Sequence, residues 1–142
     1  YAHTPESLEG LLESVRRVAS GRVIVVFGCG GDRDRGKRPL MGGIASRCAD
    51  VVFITSDNPR TEKPNAIIDE IQSGVTGDAT VKIEPDRALA IASAISCAER
   101  GDIVVIAGKG HETTQDIAGT LHPFIDADVA RVALAGRKGS TT

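Results

Sequence analysis

Val51-Val52-Phe53-Ile54-Thr55-Ser56-Asp57-Asn58-Pro59-Arg60 decides how this chain folds. Val51 to Thr55 is an unbroken run of β-branched and aromatic residues, which reads as a buried strand. The run breaks into a polar turn, so Asp57 to Arg60 stand at the strand's C-terminal end. In open α/β sheets that edge is where ligands bind. Pro59 fixes its own φ and keeps Asn58 out of the α region, which aims the neighbouring side chains in set directions. Arg60 offers a planar fork that grips a carboxylate with two hydrogen bonds, and Asp57 supplies the opposite charge. Such a pair suits a zwitterionic amino acid. On this motif alone, a strand-to-helix connection with a capping Asp and a solvated Arg reads equally well.

Two more apolar runs end the same way. Ile103 to Ala107 leads into Gly108-Lys109-Gly110-His111-Glu112, where the glycines admit a close ligand and Glu112 can receive an ammonium. Arg22 to Phe27 leads into Gly28-Cys29-Gly30-Gly31-Asp32-Arg33-Asp34-Arg35-Gly36-Lys37-Arg38. In a parallel sheet three such loops share one rim, and their convergence is harder to explain by accident than any one of them.

Helical segments separate the strands. Thr4-Pro5-Glu6 gives an N-cap, a proline at the first helical position and an acidic first turn. Leu8, Leu11, Leu12, Val15 and Val18 then follow at helical spacing until Gly21. Further helices are predicted from Pro39 to about Ala49, from Pro64 to Gly74 burying Ile67, Ile68 and Ile71, from Asp86 to Arg100, and from Asp126 to Ala135. Thr80 to Ile83 reads as a short strand, Ile117 to Leu121 as a hairpin, and 137–142 as a frayed polar tail. The order predicts an α/β fold: a Rossmann-like, doubly wound, mostly parallel sheet with an antiparallel edge strand and helices on both faces. Four of its strands are expected to be buried.

The chain's 142 residues make one ordinary domain, with 41% hydrophobic and 25% charged residues. A net charge of −2 and 3% aromatics leave neither the basic field nor the stacking platforms that nucleic acid requires. No apolar run approaches the roughly 20 residues that span a bilayer. Cys48 and Cys97 read as core thiols, while Cys29, between glycines in a loop, has room to be accessible. The spacing of His3, His111 and His122 gives no metal pattern. Nucleotide loops fit poorly as well. Arg33 stands where a dinucleotide fingerprint needs its third glycine, and Arg38 stands where a phosphate loop needs Ser or Thr for Mg²⁺.

Four segments, in this order, resemble the C-terminal domain of the diaminopimelate-adding Mur ligases. They are Tyr1-Ala2-His3-Thr4-Pro5, Gly30-Gly31-Asp32-Arg33-Asp34 running into Gly36-Lys37-Arg38-Pro39, Asp57-Asn58-Pro59-Arg60, and Gly108-Lys109-Gly110-His111-Glu112. The resemblance spans nearly the whole chain, so residues 1–142 are expected to form that one domain. In the family an Asp precedes the first segment. The start at Tyr1 therefore reads as a cut at the junction with a central ATPase domain, with residues 1–5 as the hinge.

The resemblance implies a full-length ATP-dependent ligase that adds meso-diaminopimelate to UDP-N-acetylmuramoyl-L-alanyl-D-glutamate in peptidoglycan synthesis. ATP phosphorylates the dipeptide's carboxylate, and an amine of the incoming amino acid attacks the acyl phosphate. By the same resemblance Arg33 and Arg60 hold the distal carboxylate of diaminopimelate. Asp57, Asn58, Pro59, the Gly108 backbone and Glu112 complete that pocket, and Tyr1 and His3 lie against ATP when the domain closes. No catalytic residue or metal ligand is expected in this chain. ATP and Mg²⁺ belong mainly to the central domain, and the UDP-linked dipeptide to the other domains. The implied setting is cytoplasmic, the implied state a monomer, and the domain alone is expected to be inactive. Arg35, Lys37 and Arg38 read equally as solvated or substrate-facing, and Lys109 as a phosphate contact or a surface residue. His111 reads as an anchor for its loop.

Two other functions stay open: a non-catalytic amino-acid-binding module, and a sister ligase with another amino acid, such as folylpolyglutamate synthetase or the lysine-adding enzyme. Arg60 argues against lysine, which has no distal carboxylate to pair with it.

Overall fold

Val23–Phe27 (β1) carries five apolar residues in succession, and all five are buried. A strand with no polar face needs cover on both sides and a neighbour at each edge. In the computed structural model, which describes residues 2–140, it has both. Val51–Ile54 (β2) pairs with it in parallel, Ile24 opposite Val51 and Phe27 opposite Ile54. Thr80–Ile83 (β3) lies outside β2, and Ile103–Ile106 (β4) pairs with the other edge of β1, giving the parallel order β3-β2-β1-β4.

Alternation along β1 divides the core into two layers. Val23, Val25 and Phe27 face Pro5–Val18 (α1), Lys37–Cys48 (α2) and Pro64–Gln72 (α3), packing with Leu8, Leu12, Met41, Ala45, Ile67 and Ile71. Ile24 and Val26 face Arg87–Cys97 (α4) and Asp126–Ser140 (α5), packing with Ala90, Ile91 and Ala94. The helix starts follow local chemistry: Thr4 Oγ1 accepts the Ser7 N–H and Asp86 Oδ1 accepts the Leu89 N–H. Gly42 lets α2 meet α3, since a Cβ there would fall 2.0 Å from the Ile71 carbonyl oxygen.

The chain leaves β1 toward β2 but returns on the far side of β1 as β4. The crevice beyond the C-terminal ends of β1 and β4 is thus the topological switch point, where open sheets take ligands. The α/β class and the doubly wound parallel sheet stand as expected from sequence. The antiparallel element is more independent than an edge strand. Thr114–Ile117 (β5) and Thr120–Pro123 (β6) form a two-stranded ribbon of their own, turned by Ala118 and Gly119, and a single bridge joins Ile117 to Arg60.

Burial departs from the sequence reading in three places. Only β1 and β2 are wholly buried. β3 is largely exposed because it ends the sheet, where Lys82 lies 5.7 Å from the Phe53 ring centroid and blunts the open edge. Val18 turns outward, 75% exposed, at the last residue of α1. Cys29 is buried, its thiol pushed up to about 12 by desolvation, whereas Cys48 and Cys97 are only half-buried. Being next to the sheet outweighs loop composition at Cys29. The last helix also runs further than expected, since the backbone of 137–140 continues α5.

Candidate functional site

The loops after β1, β2 and β4 are laced to one another before any ligand is considered. The Gly31 N–H donates to the Asn58 carbonyl at 2.7 Å, and Arg60 Nη1 returns a bond to the Gly31 carbonyl at 2.9 Å. Only glycine fits here, because a Cβ on Gly31 would lie 1.8 Å from the Pro59 carbonyl oxygen. Asp32, in the left-handed region at φ 55°, accepts from the Thr61 hydroxyl at 2.6 Å and from its N–H at 3.2 Å. The Thr61 bonds hold the Asp32 carboxyl below its usual range.

Beneath this contact Arg38 is fully buried and donates to both Glu62 oxygens, at 3.0 and 2.7 Å, and to the Gly30 carbonyl at 2.9 Å. Arg35 pairs with Glu70 beside it, and Lys37 Nζ donates to the His3 carbonyl at 2.8 Å. Of the three cations left open by the sequence, Arg38 is therefore an internal strut. Its bonds pull the Glu62 carboxyl down to about 2 from an ordinary 4.5. A carboxyl held low in the fold stabilises it above pH 4.5, and that contribution is lost as the pH falls toward 2. Glu62→Gln should accordingly flatten the acid limb of the stability curve between those values, read by urea unfolding at stepped pH. Asp57 works in the opposite sense, since burial raises its carboxyl.

Lys109 corrects the sequence reading most sharply. It has no exposed surface, and its ammonium lies 2.9 Å from Asn58 Oδ1, 3.4 Å from Glu112 Oε1 and 3.7 Å from Asp57 Oδ1. Asn58 Nδ2 donates to the same Glu112 oxygen at 3.0 Å. Lys109 is thus a buried counter-ion joining the loops after β2 and β4, neither a surface residue nor a free phosphate contact. Lys109→Met should strand Asp57 in the interior and destabilise the chain by about 1–3 kcal/mol, measured by thermal unfolding.

Arg87, which sequence reasoning passed over, supports the same loops from below. Its guanidinium is buried, pairs with both Asp126 oxygens at 2.8 Å, and donates to the Ser56 and Ala107 carbonyls at 3.0 and 3.1 Å. A cation in the first turn of a helix opposes the helix dipole, and that misplacement was the available signal.

Above these struts lies a cavity of about 360 Å³, lined by Arg33, Asp57, Asn58, Arg60, Gly108 and Glu112 together with His3, Gly30 and Lys37. The expected amino-acid contacts therefore meet in one place, save Pro59, which is buried behind them and shapes the turn. Tyr1 lies outside the described residues. Arg60 is held at φ 52°, an uncommon conformation for a side-chain-bearing residue. Asp57 Oδ1 is buried and has no hydrogen-bond partner among the described residues. The cavity joins cationic and anionic walls, which suits a ligand carrying both charges. A larger cavity of about 580 Å³ lies between α4, α5 and β4, but it reaches Asp102 and Ile103 at the opposite end of the strands. No group of three or more His, Cys, Asp or Glu side chains among the described residues is arranged to hold a metal. No helix among them is long and apolar enough to cross a membrane.

Residues 1–110 match the family described as "Mur ligase, glutamate ligase domain". The chain is 55% identical over 140 residues to the UDP-N-acetylmuramoyl-L-alanyl-D-glutamate--2,6-diaminopimelate ligase of Synechococcus elongatus, covering 99% of this chain and 28% of that protein. The enzyme of the same name from Xylella fastidiosa is 51% identical over 142 residues, covering 100% of this chain and 29% of that one. A solved structure of a ligase with this name superposes with a TM-score of 0.93 at 46% identity, covering 97% of this chain and 28% of that one. The chain thus spans under a third of the length of these relatives. The family match stops before β5, whereas the similarity to the named ligases runs through the ribbon.

Proposed function

The chain belongs to the Mur ligase family, as its glutamate ligase domain, and from that premise we propose that it presents meso-diaminopimelate for amide formation within a longer ATP-dependent ligase. The observation that carries this reading is the convergence of Arg33 and Arg60 with Asp57, Asn58 and Glu112 around one cavity at the switch point. Arg33 and Arg60 take the distal carboxylate. Glu112 accepts the ammonium of the same end, with Asp57, Asn58 and the Gly108 backbone framing it.

The reacting amine is then free to face the acyl phosphate of UDP-N-acetylmuramoyl-L-alanyl-D-glutamate. The domain contributes position, worth several orders of magnitude in effective concentration, and needs no general base of its own. We assign ATP and Mg²⁺ mainly to a central portion of the ligase beyond this chain, with Tyr1 and His3 approaching the nucleotide and residues 1–5 serving as the hinge. The setting we propose is the cytoplasm, in keeping with free cysteines, with the ligase acting as a monomer.

In the full-length ligase with ATP, Mg²⁺ and the UDP-linked dipeptide, mass spectrometry should find the diaminopimelate adduct and little lysine adduct. Equal use of lysine, or no amide from either, overturns the assignment. Purified alone, the 142-residue chain should hydrolyse no ATP, and measurable phosphate release would refute that division of labour.

A further inference from the structure

Arg60 owes its backbone conformation to a part of the chain that the sequence marks only as a hairpin. Its N–H donates to the Asp116 carbonyl at 3.0 Å, and its carbonyl accepts from the Ala118 N–H at 2.8 Å. Bonds on both sides of one residue hold its left-handed φ, which would otherwise relax. In an antiparallel pair, alternate residues turn their backbone groups away from the partner strand. Asp116 uses both of its groups outward: its carbonyl takes the Arg60 N–H, and its N–H donates to Asn58 Oδ1 at 3.0 Å. Gln115 adds a buried side-chain bond, Nε2 donating to the Asp57 carbonyl at 2.8 Å.

The ribbon has little packing of its own. β6 is exposed along its whole length, and an isolated two-stranded hairpin is marginal in water. Its outward edge is spent on the 57–60 turn. It also follows the segment that matches the family as a whole, which ends at residue 110. Resting on the amino-acid-presenting reading above, we propose that the β5–β6 ribbon is the brace that sets amino-acid specificity. Gln115 and Asp116 are its positioning residues: they act through Asp57, Asn58 and Arg60 and touch no substrate.

The test is kinetic, in the full-length ligase, with KM measured separately for diaminopimelate, ATP and the UDP-linked dipeptide. Gln115→Glu keeps the side chain's size but sets an acceptor against the Asp57 carbonyl. Asp116→Pro removes the N–H that serves Asn58. Each should raise the KM for diaminopimelate by roughly ten-fold, the effect of one misplaced hydrogen bond, and narrow the preference over lysine. The other two KM values should hold. Leu121→Ser, on the exposed side of the ribbon, should change none of these.

An unchanged KM for diaminopimelate in both variants overturns the brace. So does a common rise in all three KM values, or failure of both variants to fold, because either result means a structural role. Arg60→Ala separates the two claims. If it too leaves diaminopimelate binding intact, the presenting reading falls. If it alone weakens binding, only the brace falls.

Discussion

Replacing Arg60 by Ala in the full-length ligase should raise the KM for diaminopimelate steeply and leave the terms for ATP and the UDP-linked dipeptide nearly unchanged. Removing one arm of a hydrogen-bonded charge clamp costs about 2–5 kcal/mol. Arg60 is half-buried, so the lower end applies, roughly a thirty-fold rise. Because lysine lacks the distal carboxylate, its use should change little, and the preference for diaminopimelate should shrink by the same factor. Arg60 also touches the Gly31 carbonyl, so a control is needed against loop collapse. Arg60→Lys serves: it keeps the charge but loses the planar fork, and should recover only part of the preference. An Arg60→Ala ligase that binds diaminopimelate normally and still rejects lysine would refute the clamp.

The largest expected effect on stability lies at Arg87. Arg87→Leu leaves the Asp126 carboxylate and the Ser56 and Ala107 carbonyls without their buried donor. Breaking a buried ion pair from one side costs about 3–5 kcal/mol, which for a domain of this size lowers the melting temperature by roughly 10–20 °C. Adding Asp126→Leu should recover much of the loss, because removing both charges leaves no uncompensated ion. A single variant that melts like the parent chain would show that the pair contributes nothing.

Sequence alone disclosed the sheet because β1, β2 and β4 are uninterrupted apolar runs. Val23–Phe27 and Val51–Ile54 need no partner information to be read as interior. It also disclosed the cavity wall, since Arg33, Asp57, Arg60 and Glu112 all stand just after such runs. What it concealed are the groups whose role depends on what lies across from them. Lys109, between two glycines, looks solvent-facing until Asn58 and Asp57, on the loop after β2 at the far side of β1, are brought against it. Arg38 sits amid a run of charges, and what turns it inward is Glu62 on another loop together with the Gly30 carbonyl and Glu70. Cys29 is covered by Met41, 3.7 Å away across the turn into α2. Gln115 carries no local signal, because its partner is a backbone carbonyl distant in sequence.

The seating of Gly31 against Pro59 bears on the order of events in a reaction cycle. A junction with no room for one extra carbon, stitched on either side by Asp32 and Arg60, gives the loops little freedom to rearrange around an arriving molecule. The receptor is then ready-made. Under the proposed function, an amino acid is accepted or refused while the domain still stands open, on fit alone. Any later swing of the domain carries its passenger without inspecting it again. Fidelity would be decided before the acyl phosphate is ever in reach.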